Sequence, residues 1–199
     1  MDWERVVAHE PVEAAEGDRE AAVLVPVVSR PDGAHLLFTK RADHLGEHPG
    51  QMSFPGGGRE PADGTLEATA KREAFEEVGL DPDDAEVVGR LDDIPTVSNY
   101  SVRPFVVRIP DREYVPYEGE VAEIAVLSVA DLTDPDNYES ERREHPFYGD
   151  IRIHYFRVDG YTVWGATGRM LVQFLELATD WRMPPEADRV VDPDAEYPV

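Results

Sequence analysis

The stretch Phe54–Leu80, FPGGGREPADGTLEATAKREAFEEVGL, constrains this chain more than any other. It opens on Gly56, Gly57 and Gly58, which predict a turn whose free backbone groups can join a site. It continues as a helix carrying Arg72, Glu73, Glu76 and Glu77. At about 100° per residue, Glu73, Glu76 and Glu77 fall within an arc of roughly 100° on one helix face. Carboxylates so close repel one another unless positive charge stands between them, and hard cations such as Mg²⁺ suit an all-oxygen setting. The competing reading is a solvated acidic face, which has weight in so acidic a chain. Against it, Ala70, Ala74, Phe75, Val78 and Leu80 give the helix apolar surface to pack, and the glycine turn lies just upstream.

The length of 199 residues suits one domain with its own core. No apolar run approaches a membrane span, so no membrane partner is expected. The start, MDWERVVAHE, lacks a basic segment followed by an apolar block, so a signal peptide is not expected and the cytoplasm is the default location. The absence of cysteine excludes disulfides and thiolate metal sites. Acidic residues number 42 against 19 basic ones, for a net charge of −23, and lysine occurs only at Lys40 and Lys71. The acid is spread along the chain. This fits a halophile's proteome, where dense screening makes self-repulsion tolerable, better than it fits a chain with a basic partner. Nucleic acid is not an expected partner, because such a surface repels a phosphate backbone.

Residues 1–20 read as a short helix or arm. Ala21 to Val28 reads as a buried strand in which Pro26 suggests an edge or a bulge. Pro31-Asp32-Gly33 turns the chain into a partner strand, His35 to Arg41. Further strands are expected at Glu86 to Asp92, Val102 to Ile109, Glu123 to Val129, Ile151 to Val158 and Tyr161 to Trp164, with a helical turn near Val129 to Leu132. Gly165 to Thr179 carries Met170, Leu171, Phe174, Leu175 and Ala178 at helical spacing. These elements describe an α/β fold over residues 1–182. Residues 183–199 are Pro-rich and acidic and read as a peripheral tail.

The run Arg72-Glu73-Ala74-Phe75-Glu76-Glu77-Val78-Gly79-Leu80 resembles the second half of the Nudix box, G-x5-E-x7-R-E-U-x-E-E-x-G-U, where U is bulky and aliphatic or similar. Counting back from Arg72, Gly64 stands at the first glutamate of that pattern. A box longer by one residue starts at Gly57 and brings Asp63 near the acidic position, and this form resembles the coenzyme A pyrophosphatase branch. Leu36 to Gly57, LLFTKRADHLGEHPGQMSFPGG, is similar to that branch's signature through Leu37, Thr39, Arg41, Ala42, Gly50 and Phe54 to Gly57. It departs at Phe38 and at Gly46, which holds the place of an arginine. VWGATGRML near the C-terminus also resembles the branch, which often carries W-G-x-T before its last helix.

The resemblance implies a Nudix α/β/α sandwich with a mixed β-sheet. It implies a pyrophosphohydrolase that splits coenzyme A or its derivatives into 3′,5′-ADP and 4′-phosphopantetheine or its acyl form. Glu73, Glu76 and Glu77, with the carbonyl of Gly57, are the expected ligands of Mg²⁺ or Mn²⁺. Arg72 is expected to orient a box glutamate, with a grip on substrate phosphate as the alternative. Glu120, among Glu118, Glu120 and Glu123, is the nominee for metal ligand or general base, against a plain surface glutamate. Arg41, Gly56 and Gly57 are the expected substrate contacts, while Asn99 and Tyr100 suit either substrate or an ordinary loop. His44 and His48 lack a convincing ligand spacing, though His48 suits the substrate pocket. A small nucleotide is the expected partner, a homodimer is compatible, and the oligomeric state is left open. The alternatives are a pyrophosphatase for another nucleoside diphosphate derivative, such as ADP-ribose, and a nucleotide-binding sensor that has lost turnover.

Overall fold

In the computed structural model, residues 1–14, 19–45, 50–96, 99–145 and 149–198 are described. After helix α1 (Trp3–Ala8), the long strand β1 (Arg19–Arg30) runs through the middle of the first sheet. It pairs antiparallel with β2 (Gly33–Arg41), and the short β3 (Met52–Ser53) and β4 (Gly56–Gly58) follow, β3 pairing with β2 and β4 with β1. Helix α2 (Leu66–Val78) then leads to β5 (Glu86–Arg90), β6 (Ile94–Pro95) and β7 (Tyr100–Ile109). Strand β7 lies parallel to β1, so the sheet is mixed, with the order β3-β2-β1-β7-β5. Strand β8 (Val121–Ser128) pairs with β2 and ends in the single turn α3 (Val129–Leu132).

The second sheet holds β9 (Tyr138–His145), β10 (Gly149–Val158) and β11 (Tyr161–Val163), and helix α4 (Gly165–Ala178) follows it. Strand β12 (Arg189–Val190) closes that sheet parallel to β9.

Alternation along β1 makes the sandwich. Ala21, Val23, Val25 and Val27 face one core with Phe156, Phe174 and Leu175 of the second sheet and α4. Ala22, Leu24 and Val28 face the other core with Leu66, Ala70, Ala74 and Val78 of α2. Ala70 and Ala74 are fully buried, and their small size lets α2 lie close on the sheet. Thr65 caps the helix by accepting the Ala68 N–H at 3.1 Å. Gly79 ends it in the left-handed region (φ +66°), where its N–H reaches Phe75 O at 3.0 Å and the Leu80 N–H reaches Ala74 O at 3.3 Å. Phe75, expected on the packed side, is instead exposed.

Pro26 occupies neither an edge nor a bulge: it sits inside β1, opposite Val107 of β7. The reason is a change of neighbour on the other edge of β1. There β4 pairs with Ala21, Ala22 and Val23, Leu24 N–H is donated to Pro55 O at 2.9 Å, and β2 takes over at Val27. Residues two apart donate to the same edge, so the N–H that Pro26 lacks would point into that gap.

Strand β9, YESERREH, has no apolar alternation to announce it, because three of its buried residues are Ser140, Glu141 and Arg143. The segment from Met183 onward, expected as a peripheral tail, is tied to the second sheet. Besides β12, Arg143 Nη1 donates to Ala195 O at 2.8 Å and Arg157 Nη2 to Pro198 O at 2.8 Å. Among the described residues, no helix is long and apolar enough to cross a membrane.

Candidate active site

The glycine turn is the strand β4 laid along β1, and its backbone leaves no room for a side chain at Gly56 or Gly57. A Cβ on Gly56, at φ +151°, would stand 2.3 Å from Ala22 O. A Cβ on Gly57 would stand 2.6 Å from the carboxyl carbon of Glu73. The absence of a side chain at Gly57 therefore lets the Glu73 carboxylate rest against the turn. One helical turn on, Glu77 Oε2 accepts the Gly56 N–H at 3.1 Å.

Arg72 holds the outer side of the site. Its Nε and Nη2 donate to the two oxygens of Asp63 at 3.1 Å each. Nη1 reaches Glu76 at 3.0 Å, and Nη2 reaches Glu73 at 3.0 Å and Gly58 O at 3.2 Å. Asp63 also accepts the Glu60 N–H at 2.9 Å and the Thr69 hydroxyl at 3.0 Å. The bond from Arg72, then those from Glu60 and Thr69, hold its carboxyl well below the ordinary carboxylate range. Asp63 thus ties the loop before α2 to Arg72, a double partnership that the lengthened spacing alone did not reveal.

The inner carboxylates have the opposite electrostatics. Burial pushes Glu77 up to about 8, and the charges of Glu73 and Glu120 add to the rise, against the Gly56 N–H and the Arg41 charge. Burial also raises Glu73, opposed by Arg72 and reinforced by Glu76 and Glu120. Glu120 is exposed in the loop before β8, with its N–H on Tyr117 O and its own carbonyl accepting the Ala42 N–H, both at 2.9 Å. That loop is tied to α2 where Tyr117 N–H donates to Glu77 O at 2.9 Å. Glu73, Glu77, Glu120 and Arg41 therefore act on one electrostatic neighbourhood, with Gly56 and Gly57 as its floor. Glu76 lies at the outer rim, half exposed.

Among the described residues, no three Asp, Glu or His side chains converge into a ready cation cage. Glu73 and Glu76 lean on Arg72, and Glu77 leans on the turn. The donor chemistry nonetheless fits a hard dication: every side-chain donor is an oxygen, and the mostly buried Glu73 and Glu77 repel one another without positive charge between them.

Other candidates are placed less centrally. Lys40 lies 4.0 Å from Glu123, and Arg59 pairs with Glu20 at 2.6 Å. His44 is exposed, and Gly46 and His48 lie outside the described residues. Trp164 of VWGATG packs at 4.9 Å from Tyr197 and 6.1 Å from Tyr155, and a Cβ on Gly168 would stand 2.9 Å from His154 O. That motif therefore seats α4 on the second sheet. The sequence reading missed Arg19, whose guanidinium lies over the ring of Tyr100, 4.1 Å from its centroid.

The NUDIX domain matches residues 18–147 of this chain. An uncharacterized Nudix hydrolase NudL from Enterobacter sp. (strain 638) is 38% identical over 157 residues, covering 77% of this chain and 79% of the relative. The protein of the same description from Escherichia coli (strain SMS-3-5 / SECEC) is 40% identical over 159 residues, covering 77% and 79%. In three dimensions, a MutT/nudix family protein from Enterococcus faecalis superposes with a TM-score of 0.56 at 13% identity, covering 85% of this chain and 65% of that one, which speaks to the fold alone. Nudix hydrolases generally use divalent cations such as Mg²⁺ or Mn²⁺. A domain match over most of the chain, with relatives this similar along most of their own length, shows that the chain belongs to the Nudix hydrolases and is a pyrophosphohydrolase, an enzyme acting on acid anhydrides.

Proposed function

We propose that this enzyme hydrolyses the pyrophosphate bond of coenzyme A or its derivatives, giving 3′,5′-ADP and 4′-phosphopantetheine or its acyl form. The observation that carries the reading is that the loop before β8 bridges the two segments, its Glu120 O accepting the Ala42 N–H and its Tyr117 N–H donating to Glu77 O, both at 2.9 Å, which brings the Arg41 charge toward Glu77. Arg41 belongs to the segment that resembles the coenzyme A signature and Glu77 to the box, so the two motifs face one site.

Glu73, Glu76 and Glu77, with the Gly57 carbonyl, would hold Mg²⁺ or Mn²⁺. Such an ion neutralises phosphoryl oxygens and makes bound water more acidic. The chain's own residues do the rest. The Gly56 N–H orients Glu77, and the bare backbone of Gly57 seats Glu73. Arg72 keeps Glu73 and Glu76 from drifting into solvent by anchoring them to the Asp63 loop. Glu120 accepts the proton of the attacking water, its charge facing Glu73 and Glu77 from the opposite loop. One P–O bond of the bridge breaks, and the bridging oxygen leaves with the other half of the substrate. Arg41 offers its charge to the phosphates.

In this reading, residues 1–182 are the hydrolase domain, and the acidic segment from Met183 onward is a tail packed on its second sheet through β12. The enzyme works in the cytoplasm of a halophile, alone or as a homodimer. Chromatographic separation of the products formed from coenzyme A, ADP-ribose, NADH and nucleoside triphosphates, with Mg²⁺ or Mn²⁺ in high salt, tests the reading. The highest kcat/KM is expected for coenzyme A. A higher value for ADP-ribose would replace the substrate, and no turnover on any of them would leave a binding protein.

A further inference from the structure

Beside the acidic site lies a cavity of about 880 Å³, bordered by Gly58 and Asp63 and walled by the first residues of β1 and β7. Cavities of this size hold nucleotide-sized ligands. Two of the arginines that line it are already neutralised: Arg59 by Glu20 at 2.6 Å and Arg103 by Asp93 at 2.8 Å. Arg19 differs. It is exposed and pairs with no carboxylate among the described residues, and its guanidinium lies on the ring of Tyr100. The parallel register of β1 and β7 makes this pair, because Arg19 is set directly beside Tyr100. The ring then reaches the glycine turn, where a Cβ on Gly58 would stand 3.8 Å from Cε1 and from the hydroxyl of Tyr100. A planar cation thus stands one aromatic ring away from the floor of the acidic site.

We propose that Arg19, held over the ring of Tyr100, is the specificity-determining contact for a phosphate monoester that the substrate carries on its nucleoside half, away from the scissile anhydride. The proposal rests on the coenzyme A reading, since coenzyme A bears a 3′-phosphate and dephospho-coenzyme A does not. The ring holds the guanidinium carbon in place without taking up its N–H donors, which stay available to the oxygens of a phosphate. The other basic candidates are engaged: Lys40 near Glu123, Arg59 with Glu20, and Arg41 toward Glu77. Glu60 also lines the cavity, without an arginine partner among the described residues, and its charge opposes an anion. Selectivity therefore has to come from the directed contact with Arg19 and not from the general field of the cavity.

The test compares wild type, Arg19→Gln and Arg19→Lys at matched ionic strength. It reads kcat/KM for coenzyme A and dephospho-coenzyme A, and Kd for adenosine 3′,5′-bisphosphate and ADP. Arg19→Gln should lower the ratio of the two kcat/KM values by about tenfold or more, and should weaken the bisphosphate relative to ADP by a similar factor. Arg19→Lys should keep part of both preferences; if Arg19→Gln does not fold, the lysine variant carries the same comparison. A purely structural role would depress both substrates alike and leave the ratio unmoved. An unchanged ratio with coenzyme A still cleaved overturns the role of Arg19 and leaves the coenzyme A reading standing. If coenzyme A is not cleaved but Arg19→Gln still weakens the bisphosphate selectively, that reading falls and the role of Arg19 stands. Selective loss in neither assay overturns the proposal.

Discussion

Glu77 of the acidic site and Glu141 of the second sheet are both withdrawn from water, yet they are treated in opposite ways. Burial would raise Glu141, but bonds from Arg143, Tyr155 and Arg189 and the charge of Arg143 hold it below the ordinary value. Arg143 Nε reaches one of its oxygens at 3.1 Å, Tyr155 OH the same oxygen at 2.9 Å, and Arg189 Nε the other at 3.1 Å. Glu77 has one backbone N–H and two like charges close enough to matter, and it is pushed up to about 8. A carboxylate that serves the fold is neutralised by its own chain. Glu77, which the proposed function places at the metal site, is left short of positive charge, which a cation would supply.

The sharpest way to break this contrast is to remove each charge in turn. Glu141→Gln strands two arginines in a buried network and should cost about 3–5 kcal/mol, or a melting temperature lower by about 10 °C. Its turnover per folded molecule should stay near wild type. Glu77→Gln should do the reverse, with melting unchanged or higher and kcat down by about 10²-fold or more. Glu76→Gln should also keep the fold and lose most activity. Thermal melts paired with active-site-normalised rates decide it. Near-normal turnover of both box variants at saturating metal would end the metal-site assignment.

A smaller effect comes from two glycines. Gly57→Ala puts a methyl where the Glu73 carboxylate lies and should lower kcat by about tenfold or more with little change in melting. Gly168→Ala presses on the His154 carbonyl and should cost about 1–3 kcal/mol with kcat unchanged. If the two variants lose the same property, the regions are not separable in this way.

pH sharpens the comparison further. Glu77 has its folded value raised from 4.5 to about 8, so in metal-free protein it binds its proton more tightly when folded. Its contribution to stability is fully present below about 4.5 and is lost as pH rises toward 8. Glu141 is lowered, so its contribution is present above its unfolded value and is lost as pH falls through its folded one. Calorimetric melts from acid to pH 9 should show both limbs. Mg²⁺ or Glu77→Gln should flatten the alkaline limb, and a limb that survives both would have another cause.

Salt should have the smallest effect on the contrast. With a net charge of −23, the protein should melt earlier in dilute buffer, where the Debye length reaches about 30 Å at 0.01 M. The buried Glu141 network is screened less than the surface is. Circular dichroism melts against KCl, at fixed Mg²⁺, check this. A melting temperature flat up to molar salt would mean that the acidity has another origin.

The fold was legible wherever apolar periodicity carried it: β1, β2, β7, β10 and α4 lie close to their expected places. It was not legible at β9, because Ser140, Glu141 and Arg143 read as solvated until Arg152 of β10 and Asp188, Arg189 and Ala195 of the tail meet them. Pro26 misled for a related reason: its missing donor is harmless only because β4 gives way to β2 at that point. In the site, the turn and the helix were legible together because Gly56, Gly57, Glu73 and Glu77 are local in sequence and the helical period aligns them.

By itself, then, the sequence determined the family and the spacing of the box carboxylates, since short-range geometry follows from residue order. Only the tertiary structure decided which charges are answered. That Arg41 and Glu120 bear on Glu77, and that Arg19 lies on Tyr100, depend on strands and loops distant in sequence being brought together. Electrostatic consequences fall off with distance in space and not along the chain, so no reading of residue order could assign them.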